Sequence, residues 1–317
     1  LTHGIGGLAV IAVGGNSLIK DNDHQSAADQ SAAAAETSRH IAHLIEEGWD
    51  VVITHGNGPQ VGFQLLRSEM ARKEVPEDPL DYCGASTQGS IGYLFQQALS
   101  NEFRRRGIKR PVITVVTRVV VDPDDPAFKS PSKPVGPFYD EARAKRRAQQ
   151  NGWSVVEDAG RGWRRVVPSP QPQQIVELEV IQALLYAGTV VIAVGGGGIP
   201  VVSTPDGSHE GVAAVIDKDV ASSRLATLLG ADLLLISTAV ERVCLRFGQP
   251  DQQALDRVTL PELQRWMSEG HFKAGSMLPK MKAIQSYLEG GGKRALVTLP
   301  ELIPQGVAGN AGTTFVP

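Results

Sequence analysis

The sequence predicts an α/β fold: a mostly parallel sheet with helices packed on both of its faces. Two observations carry this. Short, continuously apolar, β-branched runs alternate along the chain with longer stretches whose apolar residues recur at helical spacing. Glycine-rich turns then follow three of the runs: Gly14-Gly15-Asn16, His55-Gly56-Asn57-Gly58 and Gly195-Gly196-Gly197-Gly198. A strand buried on both faces has no polar side, so it reads as an unbroken apolar run.

Each element follows in order. Residues 8–13 read as a buried strand. Residues 25–47 are alanine-rich, carry Ile41, Leu44 and Ile45 at helical spacing, and stop at Gly48. A second strand is predicted over 51–54, and Pro59 suits the first position of the helix after it. A helix over 86–106 ends at Gly107, and residues 112–121 form a long β-branched run. The texture then changes. Residues 122–138 mix five prolines with Phe128, Lys129, Lys133 and Phe138. A helix over 141–150 follows, then a hairpin of 155–157 with 163–167 around Gly160-Arg161-Gly162. A proline-rich stretch that keeps its aromatic residues reads as an ordered excursion rather than a linker. The strand–helix rhythm resumes with a helix over 173–186 and a strand over 189–194. The run 212–216 leads through Asp217-Lys218-Asp219 into a helix ending near Gly230. A strand over 232–237, a short hairpin within 240–247, helices over 261–267 and 279–288, and strands over 294–299 and 313–316 complete the chain.

The 317 residues are 42% hydrophobic, enough for a large core, and the formal net charge is −3. That balance argues against a general nucleic-acid binder, and the basic run RAKRR at 143–147 reads as a solvated helix face. Two cysteines, Cys83 and Cys244, have neither CxxC spacing nor a histidine cluster, which argues against a disulfide framework or a structural zinc site. Both read as small buried residues in a reducing cytosol, so a cytoplasmic protein is expected. The apolar runs are of strand length and too short to span a bilayer, and no membrane partner is expected.

The glycine turns point to phosphate. Glycine lets the backbone approach a ligand and aim N–H groups at it. Asn57-Gly58-Pro59 also opens a helix, whose first N–H groups lack intrahelical partners and suit an anion. One such turn alone reads rather as an ordinary strand–helix junction with a good cap, but three at strand ends of one sheet describe a phosphate site. Two lysines add to this. Lys280 follows Pro279 in the first turn of a helix, and Lys218 stands just before another. A cation at a helix N-terminus is normally unfavourable by ~0.3–1 kcal/mol. A bound anion reverses that sign. Asp217 and Asp219 flank Lys218 and suit orienting it or helping to hold a metal. Lys133 and Arg161, in the excursion, could close on an anionic substrate if it folds over the sheet edge. His55 reads either as a general base or as a residue packed at its strand end to orient the loop.

Familiar nucleotide signatures are absent: no GxxxxGK[ST], no HRD or DFG, and no GxGxxG after a predicted strand. Gly290-Gly291-Gly292 reads as a helix stop. No nucleophile elbow is present either. Phosphoryl transfer needs none, because positioned N–H groups, lysines and magnesium stabilise a transition state that spreads charge over phosphoryl oxygens.

At these residues the chain resembles the carbamate kinases of the amino-acid kinase superfamily. The matching stretches are AVGGNS, THGNGPQVG, STQGSIGY, FKSPSKPVGPF, EDAGRGWRRVVPSP, GGGGIPVV, AVIDKD and HFKAGSMLPK, in the family's order and over nearly the whole chain. The resemblance implies reversible transfer between carbamoyl phosphate with ADP and carbamate with ATP, using Mg2+, in an enzyme that is usually a homodimer. It implies a three-layer αβα sandwich around a mainly parallel, eight-stranded sheet. One domain would cover 8–317, with a protruding subdomain at 122–167 over the active site. By position, Gly14, Gly15, Asn16, Gly56, Asn57 and Gly58 would hold the phosphoryl and carbamoyl groups, with Arg161 assisting. Lys133, Lys218 and Lys280 would neutralise charge, and Asp217 would orient the lysines. Gly196, Gly197, Val240, Phe247, Ala274 and Met277 would hold the nucleotide. Thr238-Ala239-Val240-Glu241 departs from the Gly-Val-Asp run of many relatives, close to the expected nucleotide base. The alternatives are a superfamily kinase for another small acid and a non-catalytic nucleotide or anion sensor.

Overall fold

The computed structural model describes residues 6–317 except Lys20, Asn22, Ala159 and Arg161, and for Asn16 the backbone alone. Eight strands form the central sheet: Gly7–Val13 (β1), Trp49–His55 (β2), Val112–Thr114 (β3), Val190–Ile192 (β4), Leu233–Ser237 (β5), Arg257–Thr259 (β6), Ala295–Thr298 (β7) and Thr313–Val316 (β8). Their order is β6-β8-β7-β5-β1-β2-β4-β3. From β7 to β3 all neighbours are parallel; β8 turns antiparallel onto β7 and carries β6 parallel beside it.

Strand β1 shows why the sequence reads as an unbroken apolar run. Leu8, Val10 and Ala12 enter one hydrophobic cluster while Ala9, Ile11 and Val13 enter another, and all six are buried. The second cluster is closed by Ala27–Glu46 (α1) and Leu80–Arg106 (α3), between which Gly58–Ala71 (α2) follows β2. Glu141–Asn151 (α4) lies in the excursion. Leu178–Tyr186 (α5), Lys218–Leu229 (α6), Leu260–Ser268 (α7) and Met277–Glu289 (α8) close the first cluster. The result is the three-layer αβα sandwich. Its helices start where the chemistry asks: Ser26 Oγ accepts from Asp29 N while Asp29 Oδ2 accepts from Ser26 N, a capping box that opens α1.

Several elements differ from expectation for tertiary reasons. The run at 112–121 is broken in two. Arg118–Val121 joins a separate four-stranded sheet with Pro172–Ile175, Ile199–Ser203 and His209–Gly211. At the break, Gln88 Oε1 accepts from Thr117 N at 2.8 Å and its Nε2 donates to Thr117 O at 3.1 Å, so a side chain does the work of a neighbouring strand. The helix expected from Gln173 starts at Leu178, because Pro172–Ile175 pairs antiparallel with Arg118–Val121. Residues 212–216 run irregularly into α6, and α3 starts at Leu80 rather than at Ser86.

Within the excursion, Lys133–Tyr139, Trp163–Val167 and Ser154–Glu157 form a three-stranded antiparallel sheet accompanied by α4. Val135 and Val167 pack with Val61 of α2 and Leu80 and Cys83 of α3, which seats this sheet beside the first turns of both helices. Both cysteines are free, and burial pushes the Cys83 thiol up to about 11. Among the described residues no helix is long and apolar enough to cross a membrane.

Candidate active site

The register of the parallel strands brings the glycine turns together. Val13 stands opposite His55 on one side and Ser237 on the other, and Ser237 stands opposite Thr298. The segments that follow these residues therefore leave the sheet at one edge, the carboxyl edge where α/β folds bind ligands. Gly56 N donates to Val13 O at 2.9 Å, and Gly14 N donates to Ser237 O at 3.1 Å. A Cβ on Gly56 would lie 2.9 Å from Gly15 N, so the two loops touch only because position 56 is glycine. Gly14, Gly15, Gly56, Asn57 and Gly58 line one wall of a cleft of about 780 Å³. Asn16 lies in the short 3-10 turn Gly15–Ser17 beside it. Helix α2 opens at Gly58 with no side-chain cap, so its first N–H groups are available at that wall.

The facing wall carries the lysines. Asp217 caps α6: its Oδ1 accepts from the backbone N–H of Asp219 at 2.9 Å, and its Oδ2 accepts from Lys133 Nζ at 2.8 Å. Asp219, only 5% exposed, is shared between two ammonium groups. Its Oδ1 accepts from Lys218 Nζ at 2.5 Å and its Oδ2 from Lys280 Nζ at 2.8 Å. Burial alone would raise the Asp219 pKa, but Lys218 and Lys280 overturn that and hold it well below the usual carboxylate range. Burial lowers the Lys218 pKa from its ordinary value, with Asp219 opposing and Lys280 adding to the fall. All five side chains line the cleft, where three lysines meet two carboxylates. Sequence reasoning weighed Asp219 beside Lys218 but left it out of the site. Its bridging position depends on Lys280, 61 residues further on, and no local signal carries that.

The third glycine turn lies beneath the first wall. Gly196 has φ +67°, and a Cβ there would meet the Asn57 side chain at 2.1 Å, so only glycine lets Asn57 lie over it. Gly196 lines the cleft, whereas Gly197 is buried against the Ile216 carbonyl. The other residues expected near the nucleotide are spread more widely. Met277 opens α8 and packs on the core, and Ala274 is exposed beside Gly275 and Ser276, which do line the cleft. Val240 is half-buried just beyond Thr238 and Ala239, also in the cleft wall. Phe247 is 68% exposed beside the Cys244–Leu245 hairpin strand and is not part of the wall. Arg161 lies outside the described residues. Arg164, from the same hairpin, lines the cleft and donates to Gly136 O from Nε at 3.2 Å and from Nη2 at 3.0 Å.

His55 does not face the cleft. It is 1% exposed, stacks on Phe95 at 6.3 Å between ring centroids, and has Nδ1 3.2 Å from Gly56 O. Burial lowers its pKa to about 4, the Gly56 contact opposing and Lys218 adding to the fall. It is a neutral packing residue at its strand end. Because its folded pKa lies below the ordinary 6.5, the unfolded chain binds the proton first as pH falls. The stability it contributes is complete above about pH 6.5 and is lost as pH falls towards 4, by about 3 kcal/mol in all. Urea unfolding of wild type and His55→Gln between pH 7 and pH 4 should show a steeper acid loss in wild type; parallel curves would refute this.

Among the described residues no group of three or more histidine, cysteine, aspartate or glutamate side chains could hold a metal ion. The donor set instead fits magnesium carried mainly by a nucleotide's phosphates, which needs few protein carboxylates. Asp217 and Asp219 are the carboxylates closest to the lysines.

Glycine loops and helix-start lysines facing each other at the carboxyl edge of an αβα sandwich define a phosphate-handling α/β protein. The chain belongs to the amino acid kinase family, whose model matches residues 7–298, and its near full-length relatives place it on the carbamate kinase branch. It is 50% identical over 312 residues to the carbamate kinase-like protein YahI of Escherichia coli, covering 98% of both chains. It is 48% identical over 310 residues to the carbamate kinase of Thermococcus kodakarensis, covering 97% of this chain and 98% of the relative. The structure of carbamate kinase from Giardia lamblia bound to AMP-PNP superposes with a TM-score of 0.93 at 40% identity, covering 98% of this chain and 99% of that one.

Proposed function

We propose that the protein is a carbamate kinase that moves a phosphoryl group between carbamoyl phosphate with ADP and carbamate with ATP. The observation that carries this reading is the Asp219 carboxylate shared by Lys218 and Lys280 across the cleft from the glycine loops. In the ATP-forming direction the β-phosphate of ADP attacks the phosphorus of carbamoyl phosphate in line. The P–O bond to the carbamoyl group breaks, and carbamate leaves with the electron pair. Backbone N–H groups around Gly14, Gly15, Gly56 and Gly58 hold the transferred group. Lys218 and Lys280 follow its charge from one oxygen to the other, and Lys133, at the base of a protruding subdomain over 122–167, neutralises the carbamoyl phosphate end. Gly196 and the segments around Val240 and Met277 bound the nucleotide. Magnesium, when bound, offsets phosphate charge, with Asp217 and Asp219 the carboxylates nearest to assist. ATP formation from ADP and carbamoyl phosphate with magnesium tests the reading. A folded protein that binds ADP but makes no ATP from this donor would sink it.

We also propose that a second copy of the chain covers the outer face of α3. From Tyr82 to Asn101 this helix carries no charged residue, yet Tyr82 and Tyr93 are exposed one above the other, three turns apart. A face repeated by two-fold symmetry covers both copies at once. Sedimentation should give a dimer for wild type and a monomer for Tyr93→Asp; a wild-type monomer at micromolar concentration would end this idea.

A further inference from the structure

Two successive residues of α3, Thr87 and Gln88, are buried behind the cleft and bond to the second and third glycine turns, at Asn57 and at Gly195. Thr87 Oγ1 donates to Gly84 O at 2.8 Å, one turn back in its own helix. Its single hydroxyl hydrogen is thereby used, so towards Asn57 it can only accept. Asn57 must present its amide nitrogen, and Nδ2 donates to Thr87 Oγ1 at 2.9 Å. That fixes which end of the Asn57 amide is which. Among the described residues nothing donates to Asn57 Oδ1, and Asn57 lines the cleft. Gln88 secures the floor under the same side chain: its Nε2 donates to Gly195 O at 3.0 Å, next to the Gly196 on which Asn57 lies.

We propose that Thr87 is a positioning residue for substrate selection: by holding the Asn57 amide in one orientation it presents Oδ1 as an acceptor for an N–H of the carbamoyl group. This rests on the carbamate kinase reading. The chemistry is selective because acetyl phosphate has nearly the shape of carbamoyl phosphate but puts a methyl group where the NH2 stands. An oriented acceptor pairs with the NH2 and is left unpaired by the methyl. An Asn57 amide free to rotate could turn its nitrogen inwards instead and lose that preference.

The test compares wild type, Thr87→Val and Thr87→Ser. For each, kcat and KM are measured with carbamoyl phosphate, and acetyl phosphate is measured as a donor or as a competitive inhibitor. In Thr87→Val the carbamoyl phosphate kcat/KM should fall about tenfold or more, while acetyl phosphate changes by less than about threefold. Thr87→Ser, which keeps the hydroxyl, should restore the wild-type ratio. Equal losses on both compounds, or an unchanged ratio in folded Thr87→Val, overturn the proposal. Thr87→Ala carries the same expectation should the valine variant not fold. Absence of wild-type ATP formation from carbamoyl phosphate would strike the functional reading itself, whereas the ratio among the variants strikes only this inference.

Discussion

Lys218→Ala is expected to lower kcat for ATP formation by about a hundred- to a thousandfold while the protein stays folded. The size follows from where the ammonium stands. Lys218 is the first residue of α6, in the cleft wall, largely buried and 2.5 Å from a carboxylate that also holds Lys280. In so dry a setting a positive charge acts strongly on phosphoryl oxygens as charge shifts between them, and water entering the space left by alanine has to reorganise to do the same. The fold tolerates the change because Asp219 keeps Lys280, so no buried charge is stranded. Single-turnover ATP formation together with thermal unfolding checks both halves. Wild-type turnover in the variant would remove Lys218 from the mechanism.

Asp219→Ala should act on stability as well as on activity. It leaves Lys218 and Lys280 near each other with their shared carboxylate gone, and removing one partner of a buried ion pair costs about 3–5 kcal/mol. The pH dependence should change in a definite sense. Without Asp219 the Lys218 pKa falls further below its ordinary value, so the unfolded chain holds a proton that the folded chain has lost. The variant should therefore regain stability as pH rises towards the unfolded lysine pKa of about 10.4. Asp219→Asn, which keeps the shape without the charge, should lie between. Urea midpoints from pH 7 to pH 9.5 measure this, and an unchanged midpoint for the alanine variant at pH 7 would exclude a stabilising role for the bridge.

The glycine turns and both helix-start lysines were legible because their signals are local. A turn needs its glycine wherever the rest of the chain lies, and a lysine at a helix start is anomalous on its own terms. What stayed hidden depends on distant residues. Two carboxylates flank Lys218, and only the arrival of Lys280 makes Asp219 the shared one while Asp217 turns to Lys133. The run 112–121 looks like one strand because nothing within it announces that Gln88, from α3, will take over the bonding of Thr117. Residues 173–175 read as the start of a helix because their strand partner lies more than fifty residues earlier. Thr87 carries no signal of its own, since its relevance lies in a hydroxyl hydrogen already used by Gly84. Phe247 looked like a nucleotide neighbour by position alone, yet it stands at the surface.

The segments that frame the cleft come from far apart in the chain: Gly14, Asn57, Gly196, Lys218, Thr238 and Pro300 all border it. No fragment of the chain contains the site. A newborn chain completes this cleft only after its last long helix has docked and β7 has closed onto β5, so any affinity that needs the whole cleft arrives late and all at once. ADP in the cell would then favour the finished molecule over every partly folded one. Protection from proteolysis by ADP would report how much of the population is complete, and damage remote from the cleft would register first as lost ligand protection.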